Sequence, residues 1–306
     1  MKKPFRIVSR KSALALWQAN YVKDCLQALY PNLLIEIIGL QTEGDINLES
    51  SLAKIGGKGL FVKALEEYLL NQEADIAVHS LKDMPVELPS QLELSAILKR
   101  EDPRDAFLSI HYPTLKSLPS AAIIGTSSLR RQTQIYQLRN DLKTKFLRGN
   151  VDTRIKKLVH NEFDAIILAV AGLNRLGLQN QISEYFSIQE MLPAIGQGSL
   201  GIECRANDQE TKTLIAPLHH LPSAQCILSE RAVGHALNAS CQMPIAAFAY
   251  INQDSALSLQ AQIISADNTL VLNANAYGAP NDYFSIGKKV AEQLLQQGAR
   301  QIIESY

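Results

Sequence analysis

The chain has 306 residues, of which 46% are apolar and 20% are charged, and its 30 Lys and Arg residues equal its 30 Asp and Glu residues in number. This length exceeds what one hydrophobic core normally supports, so two or three domains are expected. A net charge of zero provides no long-range field that would attract nucleic acid or an acidic membrane, and we expect neither as a partner. Any anion site must therefore arise from local clustering of basic residues.

The amino terminus and the cysteines indicate a cytoplasmic protein. Lys2 and Lys3 are followed by Arg10 and Lys11 before any apolar stretch of signal-peptide length, and the chain lacks the run of about 18 apolar residues that a membrane span needs. The four cysteines form no CxxC pair and no metal-ligand spacing with histidines: Cys25, Cys204, Cys226 and Cys241. We therefore expect cytoplasmic localisation, reduced thiols and no bound metal.

Strand and helix patterns alternate through the first hundred residues. We predict strands over residues 5–8, 33–40, 76–78 and 92–98 and helices over 13–30 and 60–70, with Ser12 capping the first helix. This alternation predicts a parallel or mixed sheet with helices on both faces. Residues 47–59 lack periodicity and contain three glycines, so they form either a flexible linker or a lid over an anionic ligand.

The rest of the chain repeats this style once and then changes. We predict strands over 121–125, 145–147 and 165–170, a helix over 151–159, and a strand over 199–204 that rejoins the first sheet. After Pro222 we predict helices over 224–237 and 283–297 and strands over 245–251, 256–265 and 269–277. The predicted fold class is α/β, with a doubly wound mixed-sheet lobe over 1–99 and 199–218 and a second such lobe over 103–193. A small α+β domain over 221–306 carries a three-stranded antiparallel sheet.

Polar residues follow one buried strand directly. The apolar run 76–78 leads into Ser80, Lys82 and Asp83 before Pro85 prevents regular structure from continuing. Ligands of open α/β sheets bind beyond the carboxyl ends of the strands, so these three residues are candidates for chemistry. The alternative is that Asp83 only closes a turn.

Basic and hydroxyl residues recur at the predicted strand ends. The arginines of the second lobe at these places are Arg130, Arg131, Arg148, Arg154 and Arg175, and Arg10 has the matching position in the first lobe. The hydroxyl donors are Ser12, Ser80, Thr126, Ser127 and Ser128. A single arginine is usually a solvated surface charge, but guanidinium groups bind carboxylates in bidentate fashion. Six at equivalent positions predict a cleft between the lobes for a ligand with several carboxylates.

Cys241 differs from the other cysteines in its surroundings. It lies in a loop of small residues between the helix and the first strand of the third domain, whereas Cys25, Cys204 and Cys226 fit core positions. A loop cysteine is accessible to electrophiles, although an incidental thiol is the alternative.

Several motifs together resemble one known family. They cover residues 79–85 (HSLKDMP), 125–131 (GTSSLRR), 147–154 (LRGNVDTR), 169–176, 196–203 and 241–245 (CQMPI), together with 10–15 and 57–61. In this order, over essentially the whole chain, they resemble the porphobilinogen deaminase family, also called hydroxymethylbilane synthases. The first two domains of that family resemble the two lobes of periplasmic binding proteins.

The resemblance implies an activity and a cofactor. The family joins four porphobilinogen molecules head to tail with loss of ammonia at each step, and one dipyrromethane cofactor per chain is attached through a thioether at the position that matches Cys241. Each pyrrole bears an acetate and a propionate, which explains the arginines. Asp83 matches the catalytic carboxylate, which stabilises the cation left by departing ammonia and assists proton transfer. The resemblance also suggests a monomer.

The resemblance extends to individual contacts. It implies cofactor contacts from Ser80, Lys82, Asp83, Thr126, Ser127, Ser128, Arg130, Arg131, Arg148 and Arg154. It implies substrate contacts from Arg10, Ser12, Gln18, Phe61, Arg148, Arg154 and Arg175. Phe61 either stacks on a pyrrole or belongs to a helix-face core. The family usually has two glycines before the cofactor cysteine, where this chain has Ala239 and Ser240, and a positive φ at either position would carry a cost.

Two other classes are alternatives. A two-lobed carboxylate-binding solute-binding module would also present arginines in a cleft, but it requires neither Asp83 nor Cys241. A transcription-factor effector domain is a weaker alternative, because no helix-turn-helix precedes the first lobe. Release of ammonia and a bilane from porphobilinogen would distinguish the enzyme from both.

Overall fold

The computed structural model describes residues 3–41, 62–240 and 243–305. The chain divides into two compact units, and each takes two separate stretches of sequence. Unit 1 comprises Met1–Arg100 and Ser199–Ala224, and unit 2 comprises Glu101–Gly198 and Gln225–Tyr306. Within the described stretches, no helix is long and apolar enough to cross a membrane.

The described residues form the following elements in chain order. The strands are β1 (Phe5–Arg10), β2 (Ile35–Leu40), β3 (Ile76–Ser80), β4 (Leu92–Ile97), β5 (Asp105–Leu108), β6 (Ile123–Gly125), β7 (Lys143–Lys145), β8 (Ala165–Ala169), β9 (Glu184–Tyr185), β10 (Leu200–Arg205), β11 (Ile245–Ile251), β12 (Leu257–Ile264) and β13 (Val271–Gly278). The helices are α1 (Ala13–Leu29), α2 (Lys63–Leu70), α3 (Leu129–Leu138), α4 (Val151–Val159), α5 (Val170–Arg175), α6 (Gln209–Ile215), α7 (Leu221–Ala236), α8 (Tyr283–Gln296) and α9 (Ala299–Ile303).

Unit 1 contains a mixed sheet with the order β2-β1-β3-β10-β4. β1 runs parallel to β2 and β3, whereas β10 is antiparallel to its neighbours β3 and β4. The predicted mixed sheet is therefore confirmed, and so is the return of a strand near residue 200 into the first sheet.

The β3 strand is buried on both faces, as its apolar run predicts. Ile76 and Val78 face the core that contains Val22 and Leu26 of α1, and Ala77 faces a second core that contains Leu65 of α2. The alternation follows from the two-residue period of a strand. Two packed layers thus hold the end of β3 in a fixed position.

Unit 2 contains a second mixed sheet with the order β7-β6-β8-β5-β9. β6 is parallel to β7 and β8, and β5 is antiparallel to β8 and β9. The strand predicted over 145–147 is wrong in position, because pairing with β6 ends at Lys145 and Leu147 is a buried core residue beyond the strand. β5 was not predicted from the sequence, and its first residue is the buried Asp105.

The small antiparallel sheet is confirmed, with the order β11-β12-β13. The core on its inner face includes Ala247, Leu259 and Ala274 from the three strands and Val290 and Leu294 from α8. This sheet lies in unit 2 together with the second mixed sheet. The fold class of two mixed sheets and one small antiparallel sheet is therefore confirmed, while the predicted three-domain boundaries stay a prediction.

Candidate functional site

In unit 1 a short turn presents the candidate catalytic carboxylate. β3 ends at Ser80, and Leu81–Asp83 form a single 3₁₀ turn. Leu81 is 1% exposed, its amide donates to the Ser199 carbonyl at 3.0 Å, and the amide of Met84 donates back to the Leu81 carbonyl at 3.3 Å. Lys82 is partly exposed and Asp83 is exposed. The turn is thus anchored by one buried leucine while the carboxylate of Asp83 faces solvent.

The anchor leucine occupies space left by a glycine. A Cβ at Gly201 of β10 would lie 2.3 Å from Leu81 Cδ2 and 2.6 Å from Leu94 Cδ1. Only glycine therefore lets Leu81 pack closely over this strand. The position of the Asp83 turn thus depends on a glycine 118 residues further along the chain.

Gln18 and Ser80, both predicted substrate or cofactor contacts, are brought together by the packing of α1 on β3. Gln18 is 3% exposed, and its Nε2 donates to Ser80 Oγ at 2.9 Å. Ser12 is the N-cap of α1, as predicted, because its Oγ accepts from the Ala15 amide at 3.3 Å. Arg10 ends β1 and is partly exposed. Unit 1 therefore supplies a basic group and hydroxyl groups at the carboxyl ends of its parallel strands.

Beside this turn lies a buried pair of hydrogen-bonded side chains that was not predicted from the sequence. His79 Nε2 and Glu203 Oε2 are 2.8 Å apart, and both side chains are almost fully buried. Burial raises the pKa of Glu66 on α2, and the nearby charge of Glu203 raises it further. The only sequence signal was a polar residue within each apolar strand pattern.

In unit 2 a serine joins two strand ends. Ser127 Oγ donates to the Leu147 carbonyl and accepts from the Leu147 amide at 3.2 Å. Thr126 Oγ1 accepts from the Ser128 amide at 3.2 Å, which shapes the turn before α3. The predicted hydroxyl residues after β6 are thus held next to the segment that carries Arg148.

Arg148 and Arg154 lie on one loop and helix start. Gly149 has φ +108°, and a Cβ there would lie 2.7 Å from Thr153 Cγ2, so this turn requires glycine. Asn150 caps α4 by accepting from the Thr153 amide at 3.1 Å, and Arg154 Nε donates to the Gly149 carbonyl at 2.7 Å. Partial burial lowers the pKa of Arg148. The structure therefore brings these two predicted arginines together.

Arg175 ends α5 and contacts a second constrained glycine. Arg175 Nη2 donates to the Gly198 carbonyl at 2.7 Å. Gly198 has φ +91°, and a Cβ there would lie 2.5 Å from the Glu101 carbonyl oxygen. The constrained backbone at Gly198 therefore fixes the carbonyl that Arg175 contacts. The Arg175 side chain itself is partly exposed.

Arg130 and Arg131 are buried at the start of α3, with exposures of 4% and 6%. Both pair with Asp105, which is fully buried: Arg130 Nη2 lies 2.7 Å from Oδ2 and Arg131 Nη2 lies 2.6 Å from Oδ1. Burial acts to raise the pKa of Asp105, but the charges of Arg130 and Arg131 outweigh it and lower the pKa to about 2. The arginines are therefore less accessible than strand-end position suggests, and their predicted contact with the cofactor stays a prediction.

The predicted attachment residue Cys241, the predicted stacking residue Phe61 and the glycine-bearing segment 47–59 lie outside the described residues. The residues before Cys241 are described. Asn238 has φ +50°, whereas Ala239 and Ser240 do not have positive φ. The Ala239 amide donates to the Gly234 carbonyl at 2.8 Å, which closes the carboxyl end of α7. Because neither Ala239 nor Ser240 has a positive φ, the departure from two glycines carries no backbone cost of that kind.

Comparison with known proteins assigns the chain to a family. Residues 5–213 match the family model "Porphobilinogen deaminase, dipyromethane cofactor binding domain", and residues 224–296 match "Porphobilinogen deaminase, C-terminal domain". The matched domains are those of a transferase that polymerises pyrroles in porphyrin and haem biosynthesis. The chain belongs to the porphobilinogen deaminase (hydroxymethylbilane synthase) family, with dipyrromethane as its cofactor. This supports the enzyme over the solute-binding alternative.

The chain also has low similarity, with TM-scores below 0.5, to several solved structures. They include a protein described as a methionine-binding lipoprotein from Bacillus subtilis (12% identity, 71% of this chain and 90% of that chain covered, TM-score 0.46). A periplasmic substrate-binding protein of an ABC transporter from Coxiella burnetii is 14% identical, with 72% and 95% covered and a TM-score of 0.45. The methionine-binding protein MetQ is 10% identical, with 72% and 89% covered and a TM-score of 0.46.

Proposed function

We propose that this chain joins four porphobilinogen molecules head to tail, releases ammonia at each step, and holds one dipyrromethane through a thioether to Cys241. The observation that carries the proposal is the Asp83 turn. It places an exposed carboxylate at the carboxyl end of β3, the middle strand of the unit 1 sheet, and anchors it through the buried Leu81. Such a carboxylate is what the departure of ammonia from a pyrrole requires.

The described residues of unit 2 suit a cofactor that carries several carboxylates. Two guanidiniums share the single carboxylate of Asp105, and the buried Arg130 Nε has no hydrogen-bond partner within the described part of the chain. The residues that would hold the cofactor, besides Cys241, are Ser80, Lys82, Asp83, Thr126, Ser127, Ser128, Arg130, Arg131, Arg148 and Arg154. When bound, dipyrromethane supplies a pyrrole end tethered to the protein, onto which substrate units are added.

Asp83 is proposed to act on porphobilinogen itself. When the carbon–nitrogen bond of the protonated aminomethyl group breaks, its electron pair leaves with ammonia and the positive charge spreads to the ring nitrogen. The Asp83 carboxylate accepts a hydrogen bond from that pyrrole N–H and so stabilises the developing charge. After the new carbon–carbon bond forms, the same carboxylate assists removal of the proton from the ring carbon. One oriented carboxylate therefore serves both stages.

Porphobilinogen carries two carboxylates, and the predicted substrate contacts other than the aromatic Phe61 are cationic or hydrogen-bonding groups: Arg10, Ser12, Gln18, Arg148, Arg154 and Arg175. Support comes from the local geometry of Arg148 and Arg154, which a glycine turn and a capped helix hold on one short segment. Guanidiniums held in this way bind carboxylates with little loss of side-chain entropy.

We also propose that the protein is a cytoplasmic monomer. Among the described residues, Cys25, Cys204 and Cys226 are not joined in disulfides, which suits a reducing compartment. The length of the chain and its family suit a single copy that holds its own cofactor. Sedimentation equilibrium at several protein concentrations would test the monomer, and a mass that rises with concentration would contradict it.

The decisive experiment measures product and covalent mass together. Purified protein incubated with porphobilinogen is expected to release ammonia and a bilane, and the denatured chain is expected to weigh more than its bare polypeptide by one dipyrromethane. Cys241→Ala removes the attachment thiol, so this variant is expected to fold, to lack the added mass and to make no bilane. The matched control Cys25→Ala is expected to keep both. A wild-type chain of bare mass that never gains mass with porphobilinogen would overturn the proposal.

A further inference from the structure

Unit 2 contains a buried cluster of one acid and two bases. Asp105, the first residue of β5, has no solvent exposure, and both of its oxygens are used. Oδ2 accepts from Arg130 Nη2 at 2.7 Å, and Oδ1 accepts from Arg131 Nε at 3.1 Å and Nη2 at 2.6 Å. Oδ1 also accepts from Gln197 Nε2 at 3.1 Å. The carboxylate therefore fixes two guanidiniums and one amide at once.

Backbone carbonyls complete the grip on both arginines. Arg130 Nη1 donates to the Leu192 carbonyl at 2.7 Å, and Arg131 Nη1 donates to the Ile167 carbonyl at 2.8 Å. Each guanidinium is thus held between a carbonyl on one side and Asp105 on the other. Neither can rotate away without breaking charge-assisted hydrogen bonds in a buried setting.

The positive charges of the cluster exceed its negative charge. Two guanidiniums and one carboxylate leave one positive charge in the interior, and Asp105 is the only carboxylate paired with either arginine in the described part of the chain. An uncompensated buried charge is costly, and the buried Arg130 Nε also lacks a partner within the described stretches. Such an incomplete cluster is expected where an anion from outside the polypeptide completes it.

We infer that Asp105 is the positioning residue of the anion site that Arg130 and Arg131 form. Its carboxylate orients both guanidiniums and reduces their combined charge to one, which matches a single carboxylate group of the ligand. The inference rests on the proposed function, because the ligand carboxylate is taken to be one of those on dipyrromethane. Asp105 itself does not touch the ligand.

The test compares two substitutions of Asp105. Asp105→Asn keeps the shape but loses the charge, whereas Asp105→Glu keeps the charge but adds one methylene. The fraction of denatured chains that carry the cofactor mass is measured after incubation with porphobilinogen, below the unfolding midpoint of each variant. If Asp105 positions the arginines by charge, loading falls at least about tenfold in the Asn variant and the Glu variant loads better than the Asn variant. If Asp105 only fills space, the Asn variant loads like the wild type and the Glu variant is the poorer one, which would overturn the inference.

Asp75 offers a matched control in unit 1. Its carboxylate is also shared by two arginines, with Arg6 Nη2 at 2.9 Å and Arg205 Nη2 at 3.7 Å from Oδ1. Asp75→Asn is expected to lower the unfolding temperature and to leave cofactor loading unchanged. If Asp75→Asn and Asp105→Asn lose cofactor loading equally, general destabilisation explains the loss in both variants. That result would contradict a special role for Asp105. If the wild type gains no mass, the proposed function fails, whereas normal loading of Asp105→Asn beside a loaded wild type overturns only the inference about Asp105.

Discussion

Asp83 in unit 1 and Asp105 in unit 2 both lie next to the end of a strand, yet their surroundings are opposite. Asp83 is exposed, and its position is set by the backbone of a turn and by the buried Leu81. Asp105 is fully buried, and two arginines neutralise it. The comparison teaches that an exposed carboxylate on a fixed backbone is suited to act on a substrate. A buried carboxylate in ion pairs is suited to hold other side chains.

The largest expected effect is the loss of turnover when the exposed carboxylate, Asp83, is replaced. Asp83→Asn removes the charge that stabilises the pyrrole cation, so turnover should fall by about 10³-fold. Because Asp83 is exposed, the free energy of unfolding should change by no more than about 0.5 kcal/mol. Ammonia release and urea unfolding are the two measurements. Turnover within threefold of the wild type would remove Asp83 from the mechanism and end the comparison.

The second prediction tests whether the Leu81 anchor sets the position of Asp83. Leu81→Ala should lose about 3 kcal/mol of unfolding free energy and, because the turn loosens, about 10²-fold in turnover. Leu69→Ala is the matched control, since Leu69 is equally buried in unit 1 but lies on α2. It should lose similar stability and keep most of its turnover at a temperature where it is folded. Equal turnover in the two variants would show that the anchor is ordinary core packing.

The third prediction concerns the buried carboxylate, Asp105, and how its contribution to the free energy of unfolding depends on pH. The pKa of Asp105 is lowered from 3.8 to about 2 in the folded protein, so Asp105 stabilises the fold above its unfolded pKa, and this contribution is lost as pH falls through its folded pKa. The contribution at neutral pH is about 2 kcal/mol and should disappear between about pH 4 and pH 2. Urea midpoints of wild type and Asp105→Asn measured across this range should converge as pH falls. A constant difference down to pH 2 would contradict the prediction.

The fourth prediction tests whether the turn at Gly149 in unit 2 positions Arg148. Gly149→Ala places a methyl group 2.7 Å from Thr153 at a strongly positive φ, so it should lose about 2 kcal/mol of stability and displace Arg148. Gly177→Ala is the control, because Gly177 also has positive φ but has nothing within 4 Å of the added methyl, and its cost should be about 1 kcal/mol. The KM for porphobilinogen should rise only in Gly149→Ala. A rise in both variants would point to backbone strain rather than to Arg148.

The smallest expected effect separates two roles of Ser12. As the N-cap of α1, Ser12 contributes about 1 kcal/mol, which Ser12→Ala should lose and Ser12→Asn should keep. As a substrate contact, Ser12 should affect KM in both variants. Thermal unfolding and KM measured together therefore decide whether this residue caps a helix, binds substrate or does both.

Much of the fold could be predicted because its signals are local. The helix Val151–Val159 and the strand Ile245–Ile251 begin and end where their periodicity predicts, and the Ser12 cap follows from its place before an apolar periodic run. The strand at Lys143–Lys145 was misplaced by two residues because the apolar pair Phe146 and Leu147 outweighed it in the pattern. Boundaries set by pairing with another strand are not visible in a local pattern.

The candidate site was predictable in its residue types but not in its pairings. The Gln18–Ser80 hydrogen bond joins residues 62 positions apart, and the hydrogen bond between His79 and Glu203 joins residues 124 positions apart. Arg130 and Arg131 were predicted to line a ligand cleft, and the buried Asp105, which the sequence did not connect with them, accounts for their burial. Such long-range partners depend on topology, which one sequence does not display.

The order of strands in unit 1 also constrains how the protein is made. β10 lies between β3 and β4, yet the ribosome synthesises it about a hundred residues after β4. A nascent chain that has emerged only through β4 therefore lacks β10, the strand that pairs with both β3 and β4. Until β10 is made, the edges of β3 and β4 that will pair with it are exposed. At translation rates of about 5–20 residues per second, this vulnerable interval lasts roughly 5–20 seconds. Chaperones that shield strand edges should matter most for this protein during that interval.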